Sequence, residues 1–300
     1  MDKEQIKERR RKLRAANAPV LVGQEPKHHN PTPKAGRNLP AAIGVAVGLV
    51  ALLLLSMLIH PIGFVILASV GCIIALLEMR TACERAGADI SFPVLAVGAV
   101  GILTSGYRLG LEAAFVSFYA AVAVVSIWHL LAGKSPRRTV RNIAASIFCL
   151  GYVPLLAVFA VLMLIRGGPW AVVLFVLVTV ANDTGGYAAG VLAGKHPMAP
   201  SISPKKSWEG FAGSVAATIA VSMIGLTLLG ANWWWGLVLG LASAVTATCG
   251  DLAESLLKRD LGLKDMGSLL PGHGGIMDRL DSLLVTAPAC FLIMNTALGW

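Results

Sequence analysis

Residues 142–165 read NIAASIFCLGYVPLLAVFAVLMLI, a run without one charged side chain. A helix needs about 20 predominantly apolar residues to cross the ~30 Å hydrocarbon core of a bilayer, and this run exceeds that. Comparable runs lie on both sides of it, at roughly 40–59, 61–79, 91–107, 110–132, 169–194, 210–230, 232–250 and 283–300. Hydrophobic residues fill 56% of the 300 positions and charged residues 14%, with a mean hydropathy of +0.73, whereas soluble domains carry about 25% charge. A soluble fold has no interior large enough for that much apolar surface. The sequence therefore predicts an all-α, polytopic integral membrane bundle of about nine transmembrane helices.

The formal charge of +9 would suit a nucleic-acid binder, but its distribution argues for membrane orientation and against nucleic acid. With a cytoplasmic N-terminus, 23 of the 25 Lys and Arg residues fall inside, leaving Arg108 and Arg166 outside. That asymmetry follows the positive-inside rule and requires an odd number of spans. Residues 1–39 carry the basic run Lys7, Arg9, Arg10, Arg11, Lys12 and Arg14, then a stretch with Pro, His and Gly. Such a composition cannot bury a core, so a mostly disordered cytoplasmic tail is expected there, and it is no cleavable signal because no apolar segment follows the basic run directly. The five cysteines are scattered without CxxC pairing or a zinc-like His spacing and read as packing residues.

Three polar segments interrupt the apolar background, and in this topology all reach the cytoplasmic face. The longest, Gly250 to Ser282, reads GDLAESLLKRDLGLKDMGSLLPGHGGIMDRLDS. If Asp251 onward is helical, Asp251, Glu254, Ser255 and Lys258 share one face at i, i+3, i+4 and i+7. After a turn at Pro271–Gly272, the sequence His273-Gly274-Gly275 leads into a second helix bearing Asp278, Asp281 and Ser282 at the same spacing. Glycines at a helix start let backbone N–H groups approach an anion. Facing carboxylates suit Mg²⁺, which takes one or two of them together with substrate phosphates and water. Lys258, Arg259, Lys264 and Arg279 supply charge for a polyphosphate. The second segment places Lys205 and Lys206 directly after Pro204, beside Ser203, Ser207 and Glu209, as a phosphate clamp. The third is Asn182-Asp183-Thr184, where an acid at membrane depth marks a wet cavity or a partner. The bland readings are solvated helix ends for the charges, a positive-inside anchor for the lysines, and an interhelical hydrogen bond for Asp183.

The run Ser255 to Asp281, S-x-L-K-R-x4-K-D-x-G-x2-L-P-x-H-G-G-I-x-D-R-L-D, resembles the signature of the phosphatidate cytidylyltransferases. The upstream Gly250-Asp251-Leu252-x-Glu254-Ser255, the segment Ser203-Pro204-Lys205-Lys206-Ser207-x-Glu209-Gly210 and Asn182-Asp183 resemble that family too. The likeness is good from about residue 142 and vague before it, which divides the chain into a tail (1–39), scaffold helices (40–141) and a catalytic membrane domain (142–300). The resemblance implies conversion of CTP and phosphatidate to CDP-diacylglycerol and pyrophosphate, with Mg²⁺ alone or with a second cation. It implies a bacterial plasma membrane with a cytoplasmic active site, and leaves a homodimer among the expectations. Carried over residue by residue, it makes Asp251, Asp278, Asp281, Lys258 and His273 catalytic. Asp251, Asp278, Asp281 and Glu254 become metal ligands, and Lys205, Lys206, Ser255, Arg259, Lys264, Gly274, Gly275, Arg279 and Asp183 contact substrate. Two rivals stay open. One is a transporter of an anionic substrate, since intramembrane acids also mark transport paths; the other is a CTP-dependent polyprenol kinase, which would release CDP.

Overall fold

Proline and glycine punctuate this chain at its helix boundaries. A computed structural model describes residues 39–133, 135–263, 265–267 and 274–300. The basic tail, Lys264, the Pro271 turn and His273 lie outside the described residues. Three helices carry proline at their first or second position, where its missing N–H costs nothing: α2 (Pro61–Arg85), α3 (Phe92–Leu109) and α5 (Pro136–Leu150). The others are α1 (Leu39–Ile59), α4 (Leu111–Leu131), α6 (Leu156–Ala193), α7 (Trp208–Leu228), α8 (Trp234–Asp260) and α9 (Met277–Leu298). The protein is a helical integral membrane protein, and its surface carries the lipid-facing apolar residues this requires, among them Leu131, Leu192 and Leu228, each more than 80% exposed.

Seven described helices are long and apolar enough to cross a membrane, rather than the nine expected. The difference arises at two places. The apolar part of α1, Val47–Ile59, is a shorter helix that falls outside that count. The expected spans 142–165 and 169–194 run together in one helical stretch, Pro136–Ala193. That stretch is not straight. A π turn at Gly151–Leu155 contains Pro154, and Gly168, at φ 71° and ψ −174°, breaks the helix just before Pro169. Only glycine adopts that φ without strain, and proline removes the donor that would continue the ladder.

Helix α6 packs on α7, α7 on α8, α8 on α9 and α9 back on α6, closing a four-helix unit. Close approach within it rests on glycine: a Cβ at Gly250 of α8 would stand 2.6 Å from the Asp281 carbonyl oxygen of α9. The apolar core continues into α2–α5 through Leu95, Ile102, Leu103, Leu150 and Val153, all fully buried. One departure from the all-helical expectation is a small antiparallel hairpin, β1 (Pro197–Ala199) paired with β2 (Ser203–Ser207), between α6 and α7.

Candidate active site

The hairpin is where the polar segments begin to meet. Its base is held by Glu209 in the first turn of α7, whose carboxylate accepts from the Lys195 and His196 amides at 3.1 and 3.2 Å and contacts His196 Nδ1 at 2.5 Å. Ser207 caps the same helix by accepting from the Gly210 N–H at 3.1 Å. From β2, Lys206 Nζ reaches Asp251 of α8 at 2.5 Å. Arg259, in the last turn of α8, donates to the Ile202 carbonyl at 3.3 Å and ties that helix to the hairpin.

These contacts enclose a cavity of about 290 Å³ whose wall includes Asn182, Asp183, Lys205, Lys206, Ser207 and Asp251. Residues from three separate sequence segments thus line one space. Asn182 is buried and donates from Nδ2 to Asp183 Oδ1 at 3.1 Å, while its own Oδ1 has no hydrogen-bond partner. A buried amide oxygen without a donor is costly in a finished structure, so its presence in a cavity wall points to a site that a ligand completes.

A second cluster lies along α8 and α9. Lys258 Nζ pairs with Glu254 one turn before it and with Asp278 Oδ1 at 3.0 Å. Asp278 also accepts from the Gly275 amide at 2.7 Å and from the Met266 amide at 3.1 Å. Asp281 accepts locally from the Ser282 amide at 2.6 Å and interacts electrostatically with Asp251, Asp183 and Lys258. Ser255 donates to Asp251 at 3.2 Å, confirming the shared helical face. Arg279 acts electrostatically on Asp183.

The expected metal quartet of Asp251, Glu254, Asp278 and Asp281 is thus split between two clusters. Among the described residues no three His, Cys, Asp or Glu side chains form a ready-made metal cage. Glu254 and Asp278 are taken up by Lys258 and Asp251 by Lys206, while Asp183 and Asp251 line the cavity and Asp281 interacts electrostatically with both of them and with Lys258. Asp183, Asp251 and Asp281 are the hard oxygen donors available here to a cation whose shell phosphate oxygens and water would complete.

The anion at the start of α9 also differs from expectation. The amides of Ile276 and Met277 donate to Glu78 of α2, at 3.0 and 2.8 Å, and the Gly275 amide is bound by Asp278. In this structure protein carboxylates therefore occupy the helix start where a phosphate was anticipated. Sequence reading passed over Glu78 because α2 belongs to the apolar scaffold and the acid stands at the edge of its span. The rule that an ionisable group inside a span is a candidate by default would have found it. Tyr152, from the π turn, was missed as well; its buried hydroxyl lies close enough to Asp281 and Glu254 to feel their charge.

A family model described as the cytidylyltransferase family matches residues 40–297. The chain belongs to the cytidylyltransferase family. A phosphatidate cytidylyltransferase of Mycobacterium leprae is 41% identical over 282 residues, covering 88% of this chain and 90% of the relative. That of Mycobacterium tuberculosis is 38% identical over 278 residues, covering 88% and 84%. The Helicobacter pylori enzyme is 43% identical over a shorter stretch of 121 residues, 40% of this chain and 45% of its own. As a member of this family the chain is a nucleotidyltransferase, and the match embraces every polar segment described above.

Proposed function

We infer that the chain transfers a cytidylyl group from CTP to phosphatidate, releasing pyrophosphate and forming CDP-diacylglycerol for phospholipid synthesis. The observation that carries this is the family match across residues 40–297, over a cavity lined by paired lysines and acids. A phosphatidate oxygen is already an anionic nucleophile. It attacks the α-phosphorus of CTP, the bond from that phosphorus to the β-phosphate oxygen breaks, and pyrophosphate leaves with the electron pair. No covalent enzyme intermediate and no protein nucleophile are needed. The protein's task is to hold two anions in line and to stabilise charge on the transferring group.

The residues divide that task. Lys205 and Lys206 hold CTP phosphates, and Lys206 exchanges its partner Asp251 for phosphate oxygens when nucleotide enters. Asp183, Asp251 and Asp281 would hold Mg²⁺, which would neutralise charge on the α-phosphoryl and the leaving pyrophosphate. Asn182 Nδ2 holds the Asp183 carboxylate in place. Arg279 and Arg259 add positive charge at the rim. Lys258, with Glu254 and Asp278, keeps the two metal-bearing helices in register, while Gly274 and Gly275 shape the turn before α9 rather than cradle phosphate. Lys264 and His273, which lie between α8 and α9 in sequence, would add a cation and a proton carrier or phosphate ligand. The charge asymmetry of the loops supports a cytoplasmic N-terminus and a cytoplasmic cavity, where CTP is available and the phosphatidate headgroup resides.

Purified protein incubated with CTP, phosphatidate and Mg²⁺ should release pyrophosphate and CDP-lipid in equal amounts. Release of CDP with a phosphorylated lipid would make it a kinase. Exchange of labelled substrate across proteoliposomes without turnover would make it a transporter.

A further inference from the structure

Glu78 comes from α2, far from the signature segments in sequence, yet its carboxylate is nine-tenths buried against the start of α9. It accepts from Ile276 and Met277, 198 and 199 residues away. The residue at the α9 cap position, Ile276, has no side chain able to cap. Glu78 supplies that cap from another helix. Two glycines make room for it: a Cβ on either Gly267 or Gly275 would overlap the Glu78 carboxylate. Together Glu78 and Asp278 bind the three consecutive amides of Gly275, Ile276 and Met277.

We propose that Glu78 is a positioning residue for the transfer reaction, fixing the height and rotation of α9 and thereby the placement of Asp278 and Asp281. A carboxylate that spans two adjacent amides determines both how far a helix protrudes and how it is turned, which one hydrogen bond does not. Asp278 lies immediately after the second of these amides, and Asp281 lies one turn further along the same helix. A shift of α9 therefore moves the Asp278 contact with Lys258 and the Asp281 approach to Asp251 together. Catalysis by aligned charge is sensitive to such shifts: about 1 Å costs on the order of 10²-fold in rate. This inference rests on the transferase reading above.

The test uses the full-length protein carrying Glu78→Gln, which keeps the volume but offers one acceptor where two amides point. Turnover with CTP and phosphatidate should fall on the order of 10²-fold. KM for CTP should stay near that of the unsubstituted chain, because Lys205, Lys206 and Asp251 are carried by other elements. Amide hydrogen exchange at Ile276 and Met277 should accelerate while α7 and α8 keep their protection. Gly267→Ala, which pushes the carboxylate aside without removing it, should give the same signature in weaker form. Unchanged turnover in Glu78→Gln overturns the proposal, and so does a loss that only tracks the folded fraction with unchanged exchange at α9. Exchange needs no substrate. If the unsubstituted chain itself made no CDP-lipid, the reading of the reaction would fall, and the exchange measurement would still decide whether Glu78 holds α9.

Discussion

Two lysine–acid clusters stand one to two turns apart on α8, and they differ in access to water. Lys206 and Asp251 meet on the cavity wall with side chains 25% and 33% exposed, whereas Lys258, Glu254 and Asp278 meet with side chains 17%, 1% and 6% exposed. The chemistry of the side chains is the same. An ion pair open to solvent contributes little to stability and can change partners when an anion arrives. A buried one is held by the cost of leaving either partner alone. The comparison assigns substrate handling to the first cluster and helix registration to the second, although both derive from one run of residues with one helical spacing.

The largest expected effect breaks the buried cluster. Lys258→Met leaves Glu254 and Asp278 facing each other without a cation, and removing one partner of a buried pair costs about 3–5 kcal/mol. Thermal unfolding in detergent should show a marked fall in midpoint; an unchanged midpoint would mean the pair is no structural tie. Next, Asp251→Asn at the cavity wall keeps the shape but removes a charged oxygen. Loss of about 3–4 kcal/mol of transition-state stabilisation predicts turnover lower by roughly 10² to 10³, with little change in thermal midpoint. Near-normal turnover would take Asp251 out of the metal site. Lys206→Ala should lower kcat/KM for CTP by roughly 10- to 100-fold, the worth of a charge-assisted hydrogen bond, while the protein remains as stable as before. A stability loss matching that of Lys258→Met would erase the distinction between the clusters. The smallest effect is expected for Glu209→Gln, whose partner His196 is largely exposed. Its hairpin should loosen enough to raise KM for CTP a little, and a shift in thermal midpoint would show that the hairpin bears more of the fold than its exposure suggests.

Much of the site was legible because its parts obey local spacing. Ser255 donates to Asp251 and Lys258 pairs with Glu254, both four residues apart on one helix, and such i, i+4 neighbours can be read from a helical pattern alone. The convergence of Asp183, Lys206 and Asp251 on one cavity was anticipated only as a shared side of the membrane. Which acid would face which cation was not legible, because side chains on different helices meet according to the height and rotation of each helix. That is why the expected metal quartet divided, with Asp251 paired to Lys206 and Glu254 and Asp278 paired to Lys258. The expected span count shifted for a related reason: whether Gly168 and Pro169 separate two helices or bend one is decided by packing on both sides of the break.

By itself the sequence determined the membrane class, the positions of most helices, the three polar segments and the family signature. These depend on hydrophobic run length, on proline and glycine at boundaries, and on charges spaced along a single helix, all of which are properties of neighbouring residues. Only the tertiary structure decided that Glu78, from a helix outside the signature segments, holds the start of α9, and that the Asn182 amide oxygen is buried without a partner. Those outcomes depend on distances between residues far apart in the chain, 198 positions in the case of Glu78 and Ile276. No local pattern encodes such a distance, because it is set by how several helices pack at once.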